Sequence, residues 1–199
     1  MRTVAGRRAG AVGARIMAAR ITAALAFLLA VACDQGNDAG SARLPIAPPL
    51  VVGAPAPVYD ASALDSSALH LGGSASDVVL LNVWATWCTS CREEFAELEQ
   101  MRVKYGAQGL RVVAVSVDQG SDLKVRRFVS QQGSRFPVSH DREAKISALY
   151  GVRGLPATYL IGRDGTVKWT LTGSFLTDSV GLRKAIEGEM AGAPLSGNR

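Results

Sequence analysis

Apolar and polar positions along residues 78–190 fall into blocks that predict strands and helices in alternation. Residues 78–85 form a continuous apolar run of β-forming residues, which is typical of a buried central strand. A helical spacing follows and extends to about Tyr105, where Gly106 ends it. The later predicted elements are, in order, a strand at 110–117, a helix at 122–132, a short extended segment at 136–138, a helix near 142–150, two strands at 157–161 and 167–171, and a helix at 177–190. This order predicts an α/β layer fold that closes with an antiparallel strand pair.

Composition adds a limit on size and on partners. The chain has 199 residues, of which 48% are hydrophobic and 20% are charged, as in an ordinary folded protein. That length predicts one domain with additional sequence at its ends. The net charge is +5, but five of the 22 basic residues and none of the 17 acidic ones precede Cys33. The rest of the chain is therefore formally neutral, and we predict no nucleic-acid binding.

The N-terminal residues have the features of a secretory signal. Residues 21–32 are uncharged and follow a basic stretch, so we predict a signal peptide over 1–32, with Met17 as the true start. The apolar run is too short to span a membrane as a helix. Its last residues, Leu-Ala-Val-Ala-Cys, resemble the lipobox of bacterial lipoproteins, which implies lipid attachment to Cys33. Ordinary cleavage after Ala32 is the alternative and would give a soluble secreted protein.

The segments on either side of the folded region are predicted from composition. Residues 33–50 combine the anchor cysteine with a stretch rich in Gly, Ala, Ser and Pro, which predicts a flexible tether. Asp34 resembles a signal that retains lipoproteins at the inner membrane. Residues 51–191 are the predicted folded domain, and residues 192–199 are a predicted disordered tail. We therefore expect a domain anchored by lipid to the periplasmic side of the inner membrane.

A Cys-x-x-Cys sequence lies where the buried strand passes into the helix. The start of a helix presents free N–H groups and the positive end of its dipole, which together stabilise a thiolate. Cys88 precedes the first turn and is predicted to be exposed and nucleophilic, whereas Cys91 is predicted to be buried. Attack by Cys88 would form a mixed disulfide that Cys91 resolves. A zinc half-site and an inert disulfide are the alternatives, but zinc requires four ligands and we predict no metal.

The motifs around these cysteines are similar to those of a known superfamily. The residues that carry the similarity are Gly-Ala-Pro-Ala-Pro at 53–57, Leu-Asn-Val-Trp-Ala-Thr-Trp-Cys-Thr-Ser-Cys-Arg-Glu-Glu at 81–94, and Gly-Val-Arg-Gly-Leu-Pro-Ala-Thr-Tyr-Leu-Ile at 151–161. Residues from about 52 to 190 thereby resemble the thioredoxin superfamily, and more closely its TlpA/ResA-like branch of membrane-tethered thiol–disulfide oxidoreductases. The resemblance implies a thioredoxin-like fold, a central mixed sheet flanked by helices, with an N-terminal β-hairpin near residues 57–71.

The resemblance also implies roles for residues that face the cysteines. Pro156 matches the cis-proline of the superfamily, which lies opposite the Cys-x-x-Cys pair and contacts extended substrates. Trp87 and Leu155 are the other residues implied to contact substrate. Thioredoxin itself has a buried Asp on the central strand where this chain has Asn82, so that acid–base role is not assigned to Asn82.

Glu94 is the candidate proton carrier. It follows Cys91 by three residues and shares the apolar stripe of the helix with Leu98 and Met101, so its carboxyl is expected in a dry setting. Burial raises the pKa of a carboxyl group, and a raised pKa suits proton exchange with Cys91. The active-site glutamate of the resembled branch matches this position. The alternative is a glutamate at the edge of the core whose carboxyl reaches water.

Four further residues receive structural predictions without chemistry. Trp84 is predicted to be in the core, His70 and His140 to be solvated, and Arg153 to be a surface charge.

The resemblance implies an extracytoplasmic enzyme that needs no cofactor. Its branch commonly reduces client protein disulfides, notably those of apocytochrome c, and is recharged by a membrane thiol carrier of the DsbD/CcdA type. A metal-binding chaperone of the Sco type and a thiol peroxidase are the alternatives. The first needs a Cys-x-x-x-Cys spacing, and the second needs Thr three residues before the attacking cysteine, where Ala85 stands.

Overall fold

A computed structural model describes residues 45–192 of the chain. The predicted signal peptide at 1–32, Cys33 with its predicted lipid, the tether up to residue 44 and the tail from residue 193 lie outside the described residues. The described part falls within one compact unit.

Strands and helices alternate along the described residues as the hydrophobic pattern predicts. In chain order they are β1 (Tyr59–Ser62), β2 (Ala68–Leu71), β3 (Val78–Trp84), α1 (Thr89–Tyr105), β4 (Leu110–Ser116), α2 (Leu123–Gln132), β5 (Val138–His140), α3 (Lys145–Tyr150), β6 (Ala157–Ile161), β7 (Val167–Thr172) and α4 (Ser179–Ala191). Single 3₁₀ turns follow α1 at Gly106–Gln108 and precede α4 at Phe175–Asp178.

The main sheet has five strands in the order β5-β4-β3-β6-β7. Strand β3 is central and parallel to β4, which is parallel to β5, while β6 runs antiparallel to both β3 and β7. All seven residues of β3 are buried, as its continuous apolar sequence predicts. The predicted mixed sheet, including its final antiparallel pair, is therefore confirmed.

Alternate residues of the sheet face two separate cores. One core, between the sheet and helices α1, α2 and α4, includes Val78, Leu80, Trp84, Phe95, Leu98, Val125, Leu182 and Ile186. The other, between the sheet, the β1–β2 hairpin and α3, includes Tyr59, Leu69, Leu71, Val79, Leu81, Val83, Ile146 and Tyr150. This division follows from the two-residue period of a strand, and both cysteines of the Cys-x-x-Cys pair belong to the first core.

The N-terminal hairpin lies where the resemblance implies it. Strands β1 and β2 pair antiparallel, and they form a sheet of their own. The Leu64 N–H donates to the Val138 carbonyl over 2.7 Å, and Ala63 forms a bridge with Ser139. These contacts hold the hairpin against the edge strand β5.

The region after β4 differs from its prediction. The short extended segment expected at 136–138 is instead a strand that spans Val138–His140. His140, predicted to be a solvated loop residue, ends this strand and is half-buried, with its Nε2 2.8 Å from the Asp118 carbonyl oxygen. The reason is the sheet register, since Ser116 at the end of β4 pairs with His140.

Two helices begin later than predicted. Helix α3 begins at Lys145 rather than near residue 142, because Ala144 has a left-handed backbone with φ 53°. The Asp141 carboxylate accepts a hydrogen bond from the Ile146 N–H, which satisfies a free group at the helix start. Helix α4 begins at Ser179, because the preceding residues form a 3₁₀ turn.

The last residues of the predicted tether lie against the domain. The Ala47 N–H donates to the Ala148 carbonyl over 2.8 Å, and Arg153 Nη2 donates to the Ala47 carbonyl. Gly151 has φ 64°, and a side chain there would meet the Pro48 carbonyl, so glycine permits this close approach.

Candidate active site

The cysteine pair lies at the junction of β3 and α1. After β3 ends at Trp84, the chain makes a tight turn in which the Cys88 N–H donates to the Ala85 carbonyl over 3.1 Å. Cys88 is then the N-cap of α1, with an extended backbone, and Cys91 lies in the first helical turn. The strand-to-helix junction therefore places both sulfurs at the helix start, as the sequence predicts.

Cys88 and Cys91 are joined by a disulfide bond. The S–S distance is 2.06 Å and the Cα atoms are 5.3 Å apart. The Cys91 N–H points at Cys88 Sγ over 3.3 Å, so a free N–H of the helix start faces the outer sulfur. The same N–H would favour a thiolate at Cys88 in the reduced protein.

The two cysteines differ in accessibility less than the sequence predicts. Cys88 is 8% exposed and Cys91 is fully buried, so the outer residue is the more reachable one. The prediction that Cys88 is openly exposed is nevertheless wrong. As the N-cap it folds back over the helix start, where its Sγ lies 3.6 Å from Ser90 Oγ and packs with the first core.

Glu94 is fully buried one turn after Cys91, on the same side of α1. Its Oε1 accepts a hydrogen bond of 2.7 Å from the Phe175 N–H, and its Oε2 accepts one of 3.0 Å from Asn82 Nδ2. Burial raises the pKa of Glu94 to about 7, although hydrogen bonds from Ser174, Phe175 and Asn82 act in the opposite direction. The predicted dry setting is confirmed, and the alternative of a carboxyl reaching water is wrong.

Asn82 links Glu94 to the neighbouring strand. Its Nδ2 also donates to Thr158 Oγ1 over 3.0 Å, and Asn82 and Thr158 are direct partners in the β3–β6 register. Both side chains are fully buried. A hydrogen-bonded line of three buried polar side chains therefore crosses from α1 through β3 to β6.

Pro156 lies at the start of β6 and follows a cis peptide bond, as the resemblance implies. Because Val83 pairs with Ala157, Pro156 comes beside the end of β3 from which the turn to Cys88 departs. Its carbonyl accepts a hydrogen bond of 2.8 Å from the Gly173 N–H, at the end of β7. The structure thus brings Pro156 to the same end of the sheet as the cysteines.

Two of the predicted substrate-contact residues differ in exposure. Trp87, directly before Cys88, is 69% exposed, while Leu155 is half-buried between the two cores. Trp84 is fully buried and packs edge-on against Phe95, which confirms its predicted place in the core.

Sequence reasoning missed Asp118. It follows β4 and is buried, and its carboxylate accepts hydrogen bonds from both the backbone N–H and the hydroxyl of Thr86, two residues before Cys88. The available signal was an acidic residue directly after a strand that a helical segment separates from the strand before Cys88, an order typical of parallel strands. Carboxyl ends of parallel strands lie at the same edge of a sheet, where such a residue meets the Cys88 turn.

Two residues that were predicted to lie at the surface, His70 and Arg153, each contact a neighbouring residue. His70 is exposed and pairs with Asp60, while Arg153 is exposed and contacts Ala47. Within residues 45–192, no group of three or more His, Cys, Asp or Glu side chains is arranged to hold a metal ion. Over the same residues, no helix combines the length and apolar character needed to cross a bilayer.

Comparison with known proteins gives concordant matches. The model of the AhpC/TSA family matches residues 52–170. Thiol-disulfide oxidoreductase ResA of Bacillus thuringiensis (strain Al Hakam) is 35% identical over 116 residues, which cover 58% of this chain and 66% of that protein. The ResA of Geobacillus thermodenitrificans (strain NG80-2) is 33% identical over 131 residues, covering 66% of this chain and 75% of that protein.

A solved structure agrees with these sequences. The crystal structure of a putative thiol:disulfide interchange protein DsbE from Chlorobium tepidum superposes with a TM-score of 0.63 at 32% identity. The match covers 71% of this chain and 99% of that one.

The sheet, the cysteine pair at a helix start and these matches define a protein of the thioredoxin superfamily. The chain belongs to the AhpC/TSA family, and its relatives identify it as a TlpA/ResA-like member of that superfamily.

Proposed function

We propose that this protein is an extracytoplasmic reductant of protein disulfides in which Cys88 attacks and Cys91 resolves. The observation that carries the proposal is the asymmetry of the pair. Cys88 keeps 8% of its surface exposed whereas Cys91 keeps none, and the Cys91 N–H faces the Cys88 sulfur at the start of α1. A sulfur so placed is favoured as a thiolate, whereas the buried Cys91 is reached only from within the protein.

The proposed reaction starts from the reduced protein. The Cys88 thiolate attacks one sulfur of a client disulfide, which forms a mixed disulfide and releases the other client sulfur as a thiolate. Cys91 loses its proton and attacks Cys88 Sγ, which releases the second client thiolate. The client gains two electrons, and the protein is left with the Cys88–Cys91 disulfide found in the structure.

Glu94 is the proposed acceptor of the Cys91 proton. It lies one turn from Cys91 in the same buried stripe, and its pKa of about 7 allows it to take up and return a proton near neutral pH. Its buried position also keeps this proton exchange away from bulk water. Protonated Glu94 would return the proton when the disulfide is reduced again.

Trp87, Leu155 and Pro156 are the proposed contacts for the client segment. Trp87 offers an exposed aromatic surface directly beside Cys88, and Pro156 lies at the same end of the sheet. Leu155 is half-buried and Pro156 is buried, so Trp87 is the residue of the three that a client meets first. The cysteines of apocytochrome c are the proposed client, and a membrane thiol carrier of the DsbD/CcdA type is the proposed source of electrons.

Placement at the membrane is a separate part of the proposal. Lipid on Cys33 would hold the domain on the periplasmic side of the inner membrane, and soluble secretion is its alternative. The mass of the mature N-terminus distinguishes the two, since a lipidated Cys33 is heavier by its acyl chains. Cys33→Ser would then move the protein from the membrane fraction to the soluble fraction without changing its disulfide chemistry.

The central test is trapping of clients with Cys91→Ala. This variant should accumulate mixed disulfides through Cys88, which thiol reductants release and mass spectrometry identifies. The matched control is the Cys88→Ala, Cys91→Ala double variant, which should trap nothing. Reduction of insulin disulfides by the double variant at the wild-type rate would refute the proposal, and peroxide consumption in place of insulin reduction would favour the thiol peroxidase.

A further inference from the structure

A second buried carboxylate, Asp118, has no part in the proposed reaction. It is 5% exposed and lies just beyond β4. Its Oδ2 accepts hydrogen bonds from the Thr86 N–H over 2.8 Å and the Ser116 hydroxyl over 2.7 Å. Its Oδ1 accepts one from the Thr86 hydroxyl over 2.5 Å. Three donors therefore converge on one carboxylate, and two of them belong to Thr86.

Thr86 is a central residue of the turn that delivers Cys88. The turn runs from Ala85 to Cys88 and is closed by the Cys88 N–H bond to the Ala85 carbonyl. Both polar hydrogens of Thr86 are directed at Asp118. The carboxylate thus holds one side of this short turn through a backbone bond and a side-chain bond at once.

The position of Asp118 is itself held from two other strands. The Asp118 N–H donates to Ser116 Oγ over 3.2 Å, at the end of β4. The Asp118 carbonyl accepts from His140 Nε2 over 2.8 Å, at the end of β5. The turn before Cys88 is therefore tied through Asp118 to the carboxyl ends of both strands on that side of β3.

A carboxylate is suited to this task because charge-assisted hydrogen bonds are shorter and stronger than neutral ones. Removing a carboxylate from water is costly unless donors compensate for the lost hydration. A negative charge near Cys88 would by itself disfavour a thiolate there. The burial of Asp118 is therefore better explained by the geometry of the turn than by its charge.

We propose that Asp118 is a positioning residue for the attacking thiol: by holding Thr86 it keeps Cys88 at the N-cap, where the Cys91 N–H points at its sulfur. This inference rests on the proposed function only in taking Cys88 as the reacting sulfur. Loss of the hydrogen bonds to Asp118 loosens the turn. The Cys91 N–H then no longer points steadily at Cys88 Sγ, so the thiolate of Cys88 is less favoured. Asp118 touches neither the client nor the reacting atoms.

The test compares Asp118→Asn, Thr86→Val and the control Asp122→Asn in the reduced full-length protein. Asp122 is also a carboxylate near this end of the sheet, but it pairs with Arg126 on the surface. Iodoacetamide labelling across a pH series, read for the Cys88 peptide by mass spectrometry, measures how readily its thiolate forms. The Cys88–Cys91 redox potential is measured against glutathione.

Asp118→Asn should slow labelling of Cys88 at neutral pH by roughly five- to tenfold, the size of a lost helix-cap interaction. It should also move the titration of Cys88 to higher pH and shift the glutathione equilibrium toward the disulfide. Thr86→Val, which keeps the backbone bond, should show a smaller change in the same direction. Asp122→Asn should match the wild type.

Faster labelling of Cys88 in Asp118→Asn would mean that only the charge of Asp118 matters. Unchanged labelling in both Asp118→Asn and Thr86→Val would mean that the turn does not need the hydrogen bonds to Asp118. Either result overturns the inference. If Asp118→Asn does not fold, as circular dichroism would reveal, Thr86→Val decides alone. Labelling needs no client, so a wild-type protein that fails to reduce disulfides would refute the proposed function while leaving this measurement intact.

Discussion

One face of β3 is entirely apolar, whereas the other contains Asn82 between Leu80 and Trp84. The apolar face packs against the hairpin and α3, and it contains Val79, Leu81 and Val83. The face with Asn82 packs against α1, whose first turns contain the cysteines and Glu94. Both faces are equally buried, so burial alone does not distinguish them.

Within β3, the apolar face contributes to stability alone, whereas the face with Asn82 also borders the reactive cysteines. A fully buried polar group is costly unless it is hydrogen-bonded. Asn82 Nδ2 donates to Glu94 and Thr158, whereas Asn82 Oδ1 has no hydrogen-bond partner among the described residues. The buried polar side chains of Glu94, Asn82 and Thr158 therefore occur on the face of β3 that packs against the helix with the cysteine pair. On the opposite face, close packing of branched side chains is sufficient, and the hairpin covers it.

The largest effect is expected at Cys88, on the face of the sheet that packs against α1. Cys88→Ala should abolish disulfide-reductase turnover, because the only other cysteine among the described residues, Cys91, is fully buried. Stability under reducing conditions should change little, since the side chain lies at the edge of the core. Insulin reduction and chemical denaturation with a thiol reductant present measure the two effects. Substantial residual turnover would contradict the assignment of the attacking sulfur.

Leu81→Ala tests the apolar face. Leu81 is fully buried, and its truncation should lower the free energy of unfolding by about 2–5 kcal/mol through lost burial and a residual cavity. Turnover per folded molecule and the labelling rate of Cys88 should match the wild type. Denaturant unfolding followed by fluorescence gives the stability. A large change in Cys88 labelling would show that the two faces are not separate.

Glu94→Gln tests the chemical face through pH. The folded pKa of Glu94 is raised from 4.5 to about 7, so the native state holds this proton more tightly than the unfolded state. Its contribution to stability is therefore greatest below pH 4.5 and is lost as the pH rises to about 7, by on the order of 3 kcal/mol. Glu94→Gln should remove this part of the pH dependence of unfolding.

The matched control for that variant is Glu93→Gln, the adjacent and exposed glutamate. It should leave the slope of stability with pH as in the wild type. Glu94→Gln should also slow resolution of the mixed disulfide, which single-turnover kinetics resolve. If the free energy of unfolding of Glu94→Gln depends on pH as it does in the wild type, the Glu94 carboxyl is not the group that keeps its proton in the folded state.

Thr158→Val has the smallest expected effect. It keeps the shape of the side chain but leaves one hydrogen of Asn82 Nδ2 without its partner, at a cost of about 1–3 kcal/mol. Thr172→Val, at an exposed position of β7, should cost far less. Parallel denaturation curves measure both. Equal stabilities would show that the buried line is not supported from β6.

Much of the site could be predicted from local pattern. The apolar run before Cys88 and the helical stripe from Cys91 to Met101 determine a buried strand followed by a helix, so the cysteines had to lie at its start. The same stripe placed Glu94 inside. Such predictions succeed because strand and helix periods relate residues that are close in sequence, where backbone geometry leaves few choices.

Other features depended on contacts between distant parts of the chain. Glu94 accepts its shortest hydrogen bond from Phe175, 81 residues later, and Thr86 meets Asp118 across 32 residues. The sequence predicts a solvated His140, whereas the register of β5 places it at the end of a strand. The degree to which Cys88 is covered likewise follows from how the turn is held.

The division has a physical basis. The local pattern of this sequence was sufficient for most of the strands and helices and for the cysteine pair at a helix start, because each depends on short-range geometry. The proton affinity of Glu94, the support of the Cys88 turn by Asp118 and the limited exposure of Cys88 were decided by tertiary packing. Desolvation and hydrogen-bond partners come from whichever segments the sheet order brings together, and no local pattern records that order.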